Sequence, residues 1–88
     1  MSDEETFSAE EAAKLIIHCQ NVEQARYLIE HAAILGPIHD VLTEQGAQER
    51  SDNALMLRYR EATGRKMFLD DFRRYLDWFR EVGLWSRN

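Results

Sequence analysis

The sequence predicts an all-α fold: a compact single-domain bundle of about five short helices, with the C-terminal helix, about residues 67–82, central to the core. Three observations carry that prediction. Apolar residues recur at three- and four-residue spacing, and no segment of four or more residues alternates strictly enough for a strand. Helix-start and helix-stop residues bracket each periodic stretch. Hydrophobic content of 44% in 88 residues, including four Phe, three Tyr and two Trp, suffices for a single core.

The elements follow in order. Residues 1–7 read as a flexible acidic leader and 8–88 as the helical domain. In "FSAEEAAKLIIHCQ", Ser8 has the chemistry of an N-cap, Glu11 can reach back to it, and Phe7 with Ala12 can form the flanking apolar staple. The first helix should run to about residue 20 with Ala12, Leu15, Ile16 and Cys19 inward.

"NVEQ" repeats the signature, with Asn21 as cap and Gln24 three positions on. The second helix then carries Val22, Ala25, Leu28, Ile29, Ala32 and Leu35 on its core face. It should stop at Gly36–Pro37, because proline cannot extend it. Pro37 suits the first turn of a third helix bearing Ile38, Val41 and Leu42 and ending at Gly46. "AQERSDN" reads as a loop; Ser51 or Asp52 caps a fourth helix that ends at Thr63–Gly64, with Leu55, Tyr59 and Ala62 inward.

The fifth helix, Met67–Val82, should end at Gly83 with Leu84 folding back on its last turn. At 100° per residue, Phe68, Phe72, Tyr75, Leu76, Phe79 and Val82 share one face. Asp70, Arg73, Arg74, Asp77, Arg80 and Glu81 share the other. Asp70 can pair with Arg73 and Arg74, and Asp77 with Arg73 and Arg80, so this stripe sums to zero charge.

Net charge is −5, unevenly spread: residues 1–53 carry eleven acids against Lys14, Arg26 and Arg50, whereas 54–88 carry eight bases against five acids. Such polarity can be neutralised within the fold, between subunits or against a partner. The acidic start lacks a signal-peptide pattern, and no apolar run approaches the ~18 residues of a membrane span. The lone Cys19 excludes an intrachain disulfide framework and suits a reducing compartment. The expected setting is cytoplasmic, in its own cell or a host's, with no membrane partner.

Little here points to catalysis. His18, Cys19, His31 and His39 form no metal-ligand spacing, and His18 and Cys19 diverge by about 100° on a helix. Glu10–Glu11 and Asp70–Asp71 diverge in the same way, so neither pair can share a proton. The glycines stand at helix stops rather than in a phosphate-cradling loop. The expectation is no enzyme, no cofactor and no metal.

Residues 54–85 are similar to the second and third helices of helix-turn-helix and winged-helix DNA-binding domains. "EATGRKM" resembles the turn and "FRRYLDWFREVGLW" the recognition helix. The pattern departs at Arg60, where a small alanine is usual, and at Asp70, where a buried aliphatic is usual. The resemblance implies a DNA-binding regulator contacting nucleic acid through Arg58, Arg65, Lys66 and Arg87. Against it stands the acidic company of the helix arginines, since affinity for phosphate comes from unpaired positive charge.

Several apolar side chains exceed what a minimal bundle needs. Tyr27, Ile34, Leu57, Trp78 and Trp85, supported by Arg58 and Arg74, have the chemistry of protein-interface anchors. The leading expectation is a small acidic regulatory or adaptor protein that binds another protein stoichiometrically, including as an inhibitor of a larger complex. A homodimer pairing the acidic and basic halves is a further expectation. A sharper alternative is nucleic-acid mimicry, in which Asp3, Glu4, Glu5, Glu10, Glu11, Glu23 and Glu30 stand in for phosphates and inhibit a DNA- or RNA-binding protein.

Overall fold

The computed structural model describes residues 3–86, with side chains from residue 10 onward. The order is α1 (Asp3–Ile16), α2 (Val22–Leu42), a 3-10 turn (Ala47–Glu49), α3 (Asp52–Thr63) and α4 (Leu69–Glu81). The fold is all-α, as the sequence predicts. Its radius of gyration, 12.5 Å, lies near the ~12 Å of a globular chain of this length.

Helix α1 begins at Asp3, ahead of the expected start at Ser8, and ends at Ile16 rather than near residue 20. The proposed cap and staple of Ser8 and Phe7 lie outside the described side chains. Glu11, expected to reach back to that cap, instead lies buried in the seam between α1 and α2. Its carboxylate is 3.6 Å from Lys14 Nζ.

The main correction concerns α2. Asn21 caps it as expected, its Oδ1 accepting from the Gln24 amide at 2.9 Å. Gly36 and Pro37, however, lie inside the helix, so the second and third helices of the sequence reading are one. Gly36 is present because α1 passes there: a Cβ at that position would sit 2.6 Å from Glu11 Cγ. Pro37 has no N–H, so the Ala33 carbonyl loses its helical donor. Arg65 Nη1 replaces that donor at 3.2 Å, an arrangement bridging distant parts of the chain. The helix bends at His31 (φ −121°, ψ 19°), where the ring Nδ1–H donates to the Tyr27 carbonyl at 2.9 Å.

Ser51 Oγ accepts from the Ala54 amide and starts α3, and Gly64 ends it, both as the sequence predicts. Gly83, in the left-handed region (φ 83°), turns the chain after α4 so that the amides of Leu84 and Trp85 both donate to the Phe79 carbonyl.

Helix α4 supplies Phe72, Leu76 and Phe79 to the centre of the core, with Val82 just beyond its end. They meet Leu15 from α1, Leu28, Leu35, Ile38 and Val41 from α2, and Leu55 and Tyr59 from α3. Five sequence expectations fail at the margins. Ile16, Val22, Ile29, Ala62 and Phe68, expected to face inward, are exposed. In α2 the reason is geometric: Leu28 takes the buried line, and Ile29, advanced by about 100°, cannot share it. Val22 stands seven residues before Ile29 and falls on the same outward stripe. Phe68 precedes the first turn of α4 and caps it from outside.

The charged stripe of α4 is matched by carboxylates, although not all by the expected ones. Arg80 pairs with Asp77 at 2.8 Å, Arg74 with Asp71 at 3.8 Å, and Arg73 crosses to Asp52 on α3 at 3.4 Å. No helix among the described residues is long and apolar enough to cross a membrane.

Candidate interaction surface

The seven candidate anchors divide into three groups. Trp78 and Trp85 are each only 4% exposed, which removes both as surface anchors. Trp78 lies over Tyr27 with ring centroids 6.4 Å apart, and its Nε1–H donates to the Gln24 carbonyl at 3.2 Å. Trp85 is delivered to the core by the Gly83 turn. A small domain needs the large apolar area of such rings in its interior, and both tryptophans serve that need. Ile34 and Tyr27 are half-buried against the core.

Leu57 is exposed beside Arg58 on α3, and Arg58 is engaged within the fold. Its guanidinium meets Glu44 at 2.9 Å and Glu61 at 3.2 Å, while Arg50 meets the same Glu44 at 2.7 Å. Hydrogen bonds from Arg50 and then Arg58 hold the Glu44 carboxyl below its ordinary range.

Tyr27, Arg74 and Trp78 come together around a groove of about 440 Å³ between the first turns of α2 and the last turns of α4. Its other walls include Glu23, Asp77 and Glu81. Behind it, His31 and Tyr75 extend the aromatic cluster, the Tyr27 and His31 rings lying 4.2 Å apart. Burial pushes the hydroxyls of Tyr27 and Tyr75 up, so both stay protonated near neutrality. The cluster is a packing device with one edge open to solvent.

The nucleic-acid candidates are less well placed. Arg58 is neutralised, Arg65 serves the Ala33 carbonyl, Lys66 is exposed, and Arg87 lies outside the described residues. The first turn of α4, the end a recognition helix presents to base edges, carries Asp70 and Asp71. Their charge opposes phosphate. Among the candidate mimicking acids, Glu10, Glu23 and Glu30 are exposed and Glu11 is buried, while the side chains of Asp3, Glu4 and Glu5 lie outside those described.

No protein-family model, curated protein or solved structure matches this chain. The exposed surface carries the remaining information on function.

That surface holds what the sequence reading missed. Ile17, Val22 and Ile29 are 79%, 72% and 66% exposed, and Ile16 on α1 is partly so. All belong to the end of α1, the connection that follows it, and the start of α2. A seven-residue spacing with Arg26 and Glu30 beside it was the available signal, and the heavier weight of a core pattern in α2 hid it. Cys19, next to this stretch, is a thiol whose pKa burial raises. Among the described residues, no group of three or more His, Cys, Asp and Glu side chains is placed to hold a metal ion.

Proposed function

We propose that this protein acts by stoichiometric binding to another protein chain, through the face formed by the end of α1 and the first half of α2. The observation that carries this reading is the exposure of Ile17, Val22 and Ile29 on a domain that places both of its tryptophans in the core. A chain of this size has few large apolar side chains to spare, and leaving several exposed within one stretch of sequence favours an interface over solvation.

Charge supports the same face. Glu23 and Glu30 flank the stripe and make no ion pair among the described residues, so they remain available to steer a partner. The action is occupation of a surface, as in an adaptor or inhibitor, rather than a reaction. A reducing, cytoplasmic setting fits the single free thiol.

The test is affinity capture from the source cell with wild type, Val22→Asp/Ile29→Asp and Leu57→Asp. Loss of captured protein in the double variant alone supports the α1–α2 face. Capture unchanged by the double variant overturns it.

A further inference from the structure

The groove between α2 and α4 has a direction. Its walls are tied by the bond from Trp78 Nε1–H to the Gln24 carbonyl at 3.2 Å. Tyr75 packs beside Tyr27 and His31, with ring centroids 6.4 and 5.8 Å away, whereas Trp78, about one turn later, meets Gln24 and Tyr27. Later residues of α4 thus meet earlier residues of α2, and the two walls run antiparallel. Asp77 and Glu81 therefore fall toward Glu23, and Arg74 falls toward the Tyr27–His31 end. The walls carry these three carboxylates against the single guanidinium of Arg74, and the acids are gathered at one end.

Two of those acids are unmatched. Glu23, in the first turn of α2, and Glu81, in the last turn of α4, make no ion pair among the described residues. Positive charge borders this end without filling it. Arg80 is held by Asp77 at 2.8 Å, Arg74 stands 3.8 Å from Asp71, and exposed Arg26, three residues beyond Glu23, does not line the groove. In the first turn of α2, the Asn21 side chain already takes the Gln24 amide. Beside the two free carboxylates lies the apolar surface of half-buried Tyr27 and the small exposed part of Trp78. An anion would be repelled there, and a neutral apolar group would strip water from both acids without replacing it. A long aliphatic stem ending in a cation meets both requirements.

From this we infer that the acidic end of the groove receives a lysine or arginine side chain presented by the partner polypeptide. The stem lies along Tyr27 and Trp78, and the cationic head meets Glu23 and Glu81. Exposed Val22 is the chain neighbour of Glu23, so the groove borders the aliphatic face of α1 and α2. The inference rests on the protein-binding reading above and names the chemistry of one contact its partner makes.

The test is an NMR titration of the full chain with millimolar blocked glycyl-lysyl-glycine, its arginine counterpart and its acetyl-lysine counterpart. The Trp78 indole N–H reports the groove, and that of Trp85, which does not line it, is the internal reference. The basic peptides are expected to shift the Trp78 signal saturably and leave that of Trp85 in place. Acetylation, which removes the charge, should weaken binding at least about tenfold. Glu23→Gln/Glu81→Gln should weaken it about fivefold or more, the loss of two exposed pairs of modest strength. Glu49→Gln, in the 3-10 turn beyond the far end of α2, should leave it unchanged. All three positions are exposed, and circular dichroism verifies the fold of each variant. No saturable Trp78 shift with either basic peptide, equal binding of the acetylated one, or equal binding by the double variant each overturns the inference. Weakening by Glu49→Gln as large as that of the double variant also overturns it, as attraction to net charge alone. A groove that ignores the basic peptides, while Val22→Asp/Ile29→Asp still loses captured protein, overturns only this contact and leaves the binding face standing.

Discussion

Gly36 shows how much one missing methyl group can decide. The seam between α1 and α2 is so close there that Glu11 occupies the space a side chain would need. Gly36→Ala should therefore destabilise the domain by about 1–3 kcal/mol, the usual cost of overpacking, measured by urea unfolding. The sequence marked this glycine, yet only as a helix stop, because close approach depends on a helix elsewhere in the chain.

His39 lies in the same neighbourhood, its ring stacked near Phe79. Burial lowers its pKa, and His18 and Lys14 add to that lowering, while Asp40 and Glu11 act in opposition. The unfolded chain then binds a proton more readily than the folded one. Stability is present above the ordinary histidine value of about 6.5 and declines as pH falls through it toward the folded value. Denaturation at pH 7.5 and 5.5 should show a smaller pH effect in His39→Gln than in wild type; an equal effect in both would assign the decline to other groups.

At the scale of elements, α2 is held together across a flaw. Pro37 removes one rung of the ladder and Arg65 supplies the missing donor from outside. Pro37→Ala restores an internal donor for the Ala33 carbonyl, so Arg65→Ala should cost less in that background than in wild type. A double-mutant cycle is expected to return a coupling of about 0.5–1 kcal/mol, since the bond is exposed and one partner is charged. Additive effects would mean the Arg65 contact contributes nothing.

Legibility differed sharply between elements. The apolar face of α4 from Phe72 onward, the Ser51 and Asn21 caps, and the turns at Gly64 and Gly83 were all local patterns, and they appear where the residues placed them. Proline inside α2 was not readable, because its compensation comes from thirty-two residues away. Trp78 is interior for a related reason: a border position on a helical wheel becomes buried when a neighbouring helix, here α2, passes over it, whereas Trp85 lies beyond the helix and is carried inward by the Gly83 turn.

For the whole molecule, electrostatics has two regimes. The middle of the chain is internally matched: Glu44 receives both Arg50 and Arg58, tying the 3-10 turn and α3 to the end of α2. Its lowered pKa means that the contribution is present above the ordinary carboxylate range and is lost as pH falls through the folded value. Glu44→Gln should flatten the loss of stability at acid pH, followed by far-ultraviolet dichroism. Glu30→Lys, in the unmatched region, should change monomer stability by less than about 0.5 kcal/mol. The overall fold class was legible because it needs only periodicity. The exposed aliphatic side chains of Ile17, Val22 and Ile29 were not, because exposure is a property of the assembled helices.

The bend at His31 has a consequence for how the longest helix breathes. A ladder interrupted there, and lacking its rung at Pro37, is no longer one cooperative rod. Deuterium should enter the amides of residues 25–30 through local opening that leaves 38–42 protected, giving two exchange classes within one continuous helix.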